Sequence, residues 1–324
     1  MLDRLTMPVP ATPDAAARDL ARRLRKLARL FDLDAILAET LDAPRVQAYY
    51  QECHAAYRKH HSSAGAAHMA LNPDGRFDPD GFAEHLRRIE AAWAGPGGRP
   101  PQDVLEIGFG QGYNLGWLAP RHPAVRFHGI DLTPDHLALA RERIARLGLK
   151  NTHLQLADLH ALPQESASID EVFAIEAFCY ARDVPRALAE VARVLRPGGR
   201  FTLFDGYQPR PLAALDADAA MAAQLVARGT ALERWQVVGE LVEQGRAQGL
   251  QPEAVVDLDA QVLPNLKRLD RLVGAIIRVP WLARRALARR APARSRNVLA
   301  GYLLYPTVAM GVLGYRQIVW RKPG

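Results

Sequence analysis

The chain is poor in cysteine: only Cys53 and Cys179 occur in 324 residues, far apart and outside any Cys-x-x-Cys or Cys/His spacing. That scarcity argues against a disulfide framework and a structural zinc site, so no metal is expected and a reducing cytoplasm fits best. Also missing is any stretch approaching the roughly 18 uncharged apolar residues of a membrane-spanning helix. The first twenty residues lack a long apolar run and carry Asp3, Asp14 and Asp19, so neither a secretory nor a mitochondrial leader is expected. Internal repeats and long low-complexity tracts are absent too. What remains is 49% hydrophobic and 24% charged residues, ample for a sizeable core. The net charge of +7, from 42 Lys and Arg against 35 Asp and Glu, is modest and gives no reason to expect nucleic acid.

Three regions differ in pattern. Residues 1–98 read as a helical N-terminal cap or lid, with Leu20, Leu24, Leu27, Leu30 and Phe31 at helical spacing over 12–41, a second helical stretch over 44–61 and a third over 84–93. A Gly/Pro linker at 95–101 leads into residues 99–210, where short apolar runs alternate with helical patterns, as in βαβ units. Strands are predicted at 104–107, 126–130, 153–156, 171–175 and 200–204. Helices are predicted at 134–147, entered through Thr133 and Pro134, and at 185–195, stopped by Pro197-Gly198-Gly199. Residues 211–324 read as a helical substrate cap over 217–248, a strand at 254–258, an Arg-rich region at 267–296 and a last strand at 315–320.

Within the core, Val104-Leu105-Glu106-Ile107-Gly108-Phe109-Gly110-Gln111-Gly112 runs from a strand into glycines that let backbone approach a nucleotide. A dinucleotide fingerprint requires glycine where Tyr113 stands. Glu106 also suits a cationic ligand better than a pyrophosphate, although a purely structural βα turn would use the same glycines. The next strand ends at Gly129-Ile130-Asp131, placing a carboxylate for ribose hydroxyls. The third is followed by Ala157-Asp158-Leu159, where an acid could meet an adenine amino group. Each acid alone could be a helix cap; their succession at strand ends is the signal.

These segments, EIGFGQG, GIDLTPDHL, ADLHALP and VARVLRPGGRF, resemble the successive motifs of class I S-adenosylmethionine-dependent methyltransferases over about 110 residues. The resemblance implies a Rossmann-like α/β fold whose seven-stranded sheet is mostly parallel with an antiparallel last strand, and S-adenosyl-L-methionine as cofactor. It also implies that Glu106, Gly108, Gly110 and Gly112 line the methionine side, Asp131 and Leu132 meet the ribose, and Asp158 and Leu159 meet the adenine. The segment Ala174-Ile175-Glu176-Ala177-Phe178-Cys179-Tyr180, with Tyr49-Tyr50, Tyr57 and His68-Met69, is similar to sterol side-chain methyltransferases. Tyr180 stands where that family has His, and Arg58-Lys59-His60-His61 where it has Gly-Trp-Gly.

Methylating an alkene carbon leaves a carbocation that needs aromatic shielding and a base. Glu176, at the end of the fourth strand, is expected to face the cofactor and act as base or electrostatic partner; Tyr57, His61 and Tyr180 are the other catalytic candidates. Tyr49, Tyr50, Tyr57, His60, His61 and His68 form an aromatic and imidazole cluster expected to fold over the cofactor, although helix packing explains Tyr50 and Tyr57 equally well. The Arg-rich region suits peripheral contact with an anionic membrane, a diphosphate, or simply a solvated cap face.

The expected partner is a hydrophobic small molecule, and the expected reaction is C-methylation of a sterol or related terpenoid. Prenyl diphosphate or small natural-product methylation on carbon, oxygen or nitrogen is the nearest rival. RNA modification or cofactor binding without catalysis stays open, and no oligomeric state is assigned.

Overall fold

The computed structural model describes residues 13–41, 49, 51–53, 57–93, 100–288 and 292–324. Seven strands, β1 Asp103–Ile107, β2 Arg126–Asp131, β3 Thr152–Leu156, β4 Ile169–Ile175, β5 Leu195–Tyr207, β6 Gln251–Asp257 and β7 Gly314–Arg321, form one sheet in the order 3-2-1-4-5-7-6. The first five pair in parallel, while β7 lies antiparallel between β5 and β6. This is the predicted Rossmann-like sheet, and the strand expected at 254–258 is its outer edge, β6.

Helices cover both faces, which is why the central strands β1 and β4 are buried along almost their whole length rather than on alternate residues. Along β4, Phe173 and Ile175 join one core while Val172 and Ala174 join the other. The second face is covered by α6 (Val184–Val194) and α8 (Val238–Ala247). Asp183 starts α6 by accepting from the Arg186 amide at 3.0 Å, and Pro185 occupies its first turn.

The first face is covered by α1 (Pro13–Ala28), α3 (Glu84–Trp93), α4 (Tyr113–Leu118) and α5 (Pro134–Arg146), together with α7 (Ala217–Gly229), α9 (Asp259–Ile277) and α11 (Pro292–Ala309). The short α2 (Leu33–Leu37) and α10 (Pro280–Ala288) flank them. Leu20, Leu24 and Leu27 of α1 are buried in the same core as Leu225, Val273 and Leu299, so both flanking regions pack together over the sheet.

The helical stretch expected over 12–41 is two helices, because the chain turns after Ala28 and Asp32 caps α2 by accepting from the Ala35 amide. Two elements depart from expectation. The helix predicted over 217–248 breaks at Thr230–Val237, where Ala231 has φ +58° and Trp235 turns inward, its indole N–H donating to the Ala223 carbonyl at 2.9 Å. Finally, β5 begins at Leu195, directly after α6, with Pro197-Gly198-Gly199 inside it opposite a register shift between Ile169 and Glu171. Part of the stretch expected to be helical over 44–61 lies outside the described residues; its described end, Tyr57–His61, is a single π turn.

Candidate functional site

A cavity of about 320 Å³ opens at the carboxyl ends of β1, β2, β4 and β5, where ligands of open α/β sheets sit. At one end the chain leaves β1 through three left-handed glycines. Gly108 (φ +78°) lines the cavity, its amide donating to the Ile130 carbonyl at 2.8 Å; a Cβ there would lie 2.3 Å from that of Ala177. Gly110 (φ +51°) faces open space, so any side chain would project into the ligand volume. Gly112 does not line the cavity. It caps α4, and its Cα lies so close to Ala140 of α5 that an added Cβ would sit 3.1 Å from the Ala140 Cβ, so the position packs one helix on the other.

Asp131, at the end of β2, is nearly buried and lines the cavity. It accepts from the amides of Gly110 and Thr133, both at 2.9 Å, with His136 Nδ1 3.2 Å away. Its carboxylate thus ties the glycine loop to the start of α5. The Leu132 side chain beside it is 45% exposed, an apolar surface available to a ligand. Asp158 and Leu159 also line the cavity, and His160 caps that turn, its Nδ1 lying 2.6 Å from Asp158. Burial pushes the Asp158 pKa up, but the bonds from His160 outweigh it and hold the group below the usual carboxylate range.

Glu106 departs from expectation: it is fully buried beneath the cavity and not on its wall. Asn114 stands between, its Nδ2 donating to Glu106 Oε1 at 2.7 Å and its Oδ1 lying 3.0 Å from His68 Nε2. Burial, reinforced by Asp131 and opposed by Asn114, raises the Glu106 pKa to about 8, and its Oε2 has no hydrogen-bond partner.

Glu176 sits at the junction of the cavity's two ends. It ends β4 with φ +50°, a conformation rare outside glycine and typical of strained functional turns. Its Oε1 accepts from the Met69 amide at 2.7 Å, and the nearby Tyr315 hydroxyl favours the ionised form of the same carboxyl. His85 Nε2 lies 3.0 Å from the Tyr315 oxygen. Burial raises the Glu176 pKa to about 8, with the Asp205 carboxyl adding to the effect. Asp205, at the end of β5, accepts from the amides of Cys179 and Gly206, both at 2.9 Å, and burial lifts its pKa to about 7.

Beyond this junction the cavity turns apolar, walled by Trp235, Val262, Leu266, Leu304, Val308 and Leu313. Tyr180 lines it and donates to the Thr230 carbonyl at 2.9 Å. Tyr49 also reaches the wall, whereas Tyr50 and the Tyr57 side chain lie outside the described residues. His61 does not reach the cavity: its ring is buried edge-on against Phe82, Nε2 lies 2.8 Å from the His68 carbonyl, and burial lowers its pKa to about 4. It braces the 61–69 loop instead. Sequence reasoning missed Asn114, Asp205, Trp235 and Tyr315. Asp205 could have been found by the strand-end rule that found Asp131, whereas Tyr315 already opens the last strand expected at 315–320 and no local pattern marked it as a site residue.

Comparison with known proteins agrees with this geometry. The family model for the methyltransferase domain matches residues 104–199. The S-adenosyl-L-methionine-dependent Diels-Alderase iccD of Talaromyces variabilis is 30% identical over 234 residues, which is 69% of this chain and 77% of that protein. Among solved structures, the [4+2]-cyclase SpnF superposes with TM-score 0.66 at 20% identity, over 88% of this chain and 97% of that one. The geranyl diphosphate C-methyltransferase of Streptomyces coelicolor A3(2) superposes with TM-score 0.61 at 14% identity, over 97% and 100%.

The chain belongs to the class I S-adenosylmethionine-dependent methyltransferase family, and S-adenosyl-L-methionine is its cofactor. The first curated relatives align over about a third of this chain, and the chain spans about a third of their length, 103 residues and 37% in one case. The residues present fit that cofactor: an open left-handed Gly110, cavity-lining acids at the end of β2 and just beyond β3, and beneath the cavity Glu106, one carboxyl oxygen of which has no partner among the described residues.

Proposed function

We propose that the protein transfers a methyl group from S-adenosyl-L-methionine to a carbon of an uncharged isoprenoid-type molecule, a sterol or related terpenoid. The observation that carries this reading is the Glu176 carboxyl at the meeting point of a polar, cofactor-sized end and an apolar chamber. In this reading Asp131 and Leu132 hold the ribose and Asp158 and Leu159 the adenine. Gly108 and Gly110 admit the methionine half, with Glu106 acting on it through Asn114. The flanks, 1–98 and 211–324, serve as lid and substrate cap.

The cofactor supplies an electrophilic methyl on a sulfonium. Substrate π electrons form the new C–C bond as the methyl–sulfur bond breaks, which leaves the positive charge on a neighbouring substrate carbon. Glu176 then takes a proton from an adjacent carbon, and the C–H electrons close the double bond. Tyr180, Tyr315 and Trp235 offer ring faces to the cation, and the apolar wall excludes the water that would trap it. A diphosphate fits less well: Arg182 is the only Arg or Lys among the described lining residues, whereas Glu176 and Asp205 are acidic.

The length of the match to the Diels-Alderase favours a second reading, in which the same chamber folds a polyene for cyclisation and the cofactor is held but not consumed. Incubation with methyl-labelled cofactor and separate pools of sterols, terpenoid alcohols, prenyl diphosphates and conjugated polyenes distinguishes the two. Label in an isoprenoid carbon supports methyl transfer, and an isomeric unlabelled polyene product supports cyclisation. Label confined to RNA or to a diphosphate overturns the first reading.

A further inference from the structure

The charge of this chain is distributed unevenly. Residues 271–296 contain eight arginines and no Asp or Glu. Some of these arginines hold the flanks together: Arg284 donates to the Arg29 carbonyl, Arg294 to the Glu52 carbonyl, and Arg296 pairs with Glu39. Arg271, Arg278 and Arg285 are exposed. The nearest acid, Asp270, is already bound by Arg23 at 2.5 Å.

On α9, Val262, Leu266, Val273 and Ile277 are buried on one side at helical spacing, whereas Arg271, Leu272, Ala275, Arg278 and Val279 are exposed. Single apolar side chains are common on solvated faces, but three large ones within ten residues form a patch. Here Leu272 and Val279 are 39% and 38% exposed, and Trp281, at the start of α10, is 67% exposed. Large apolar groups among arginines, with a Trp at the corner, match the composition of an interfacial helix whose apolar side chains enter the acyl boundary while the cations meet headgroup phosphates. Among the described residues no helix is long and apolar enough to cross a membrane, so such contact is peripheral.

We propose that the exposed side of α9 and the start of α10 form a docking surface for an anionic lipid bilayer. The occupant is set by charge complementarity: a patch with exposed cations and no Asp or Glu in residues 271–296 attracts an anionic surface, and its apolar members gain only from a partner with an apolar interior. The consequence reaches the site, because the opposite side of α9 contributes Val262 and Leu266 to the chamber wall. Docking therefore puts one helix in contact with both the bilayer and the volume in which an apolar substrate would lie. The surface stands independently of the reaction proposed above.

Flotation with vesicles tests it. The full chain is expected to float with vesicles of phosphatidylglycerol and phosphatidylcholine at low salt, to stay behind with phosphatidylcholine alone, and to be released at roughly 0.5 M salt, where charges are screened within a few ångströms. Leu272→Ser with Trp281→Ser abolishes flotation. Arg278→Glu with Arg285→Glu lowers the bound fraction about tenfold or more, whereas Arg246→Glu on exposed α8 leaves it unchanged. Cofactor affinity reports folding of each variant, and if the serine pair fails that check the glutamate pair decides. Absence of flotation, equal flotation with neutral vesicles, indifference to both double variants, or a concentration-dependent dimer lost on Trp281→Ser would each overturn the proposal.

Discussion

Glu176 and Asp131 both line the cavity, yet their surroundings assign them different work. Each Asp131 oxygen accepts from one backbone amide, and one of the two amides belongs to the glycine loop. Asp131→Ala is expected to raise the cofactor dissociation constant at least tenfold by calorimetry, since it leaves two amides without their acceptor and removes the proposed ribose contact. Glu176→Gln keeps the hydrogen bond to Met69 and should leave that constant within about twofold while lowering kcat by roughly 10² or more. Loss of binding in both variants would make Glu176 a cofactor ligand only.

Because Glu176 must be ionised to take a proton and its pKa is raised to about 8, turnover should rise with pH along a single-proton limb toward about 8. The Tyr315 hydroxyl opposes that rise by stabilising the carboxylate. Tyr315→Phe should therefore move the limb to higher pH, and an unmoved limb in a pH–rate profile would show that another group is titrating. Asp131, Asp158 and Glu176 were legible as cavity-lining acids because their positions follow from local periodicity, whereas Asp205 in the long β5 was not read. Asn114 was not, because its importance comes from standing between Glu106 and His68, a relation that only folding creates.

At the level of elements, boundaries followed local chemistry wherever a cap or a proline set them, as at Asp183-Val184-Pro185 before α6. The break between α7 and α8 was invisible because the helical pattern continues through it; Trp235 leaves the helix to pack on Gly206, where even a Cβ would meet its ring at 2.7 Å. Tertiary packing overrides propensity there. The turn at Gly108 gives an element-scale test. Gly108→Ala adds a Cβ at φ +78° against Ala177, and should cost about 1–3 kcal/mol in denaturant unfolding. The additional change Ala177→Gly relieves the contact but not the backbone strain, so recovery should be partial.

Across the whole molecule, buried titratable groups of both kinds set the response to pH. Glu106, Glu171, Glu176 and Asp205 are raised by burial to about 8, 7, 8 and 7, so the folded chain holds protons that the unfolded chain has released. Their contribution to stability is present at low pH and is lost as pH climbs through those values. His61, His68 and His85 are lowered by burial, so they cost stability as pH falls below about 6.5, where the unfolded chain protonates. The two trends oppose each other below about 6.5 and only the acids act above it. Unfolding free energy should therefore decline between about pH 6.5 and 8, and Glu106→Gln should flatten the decline. A profile rising with pH in that window would contradict the assignment.

The placement of β7 has a kinetic consequence. It is made after every other strand yet lies between β5 and β6, and it carries Tyr315 into the site. On the ribosome, the glycine loop and the strand-end acids emerge and can pair early, while β5 and β6 wait with open edges exposed to improper partners. The cofactor side of the protein can thus assemble before the part that would make use of the cofactor. The final insertion joins β6 to the rest of the sheet and brings Tyr315 beside Glu176.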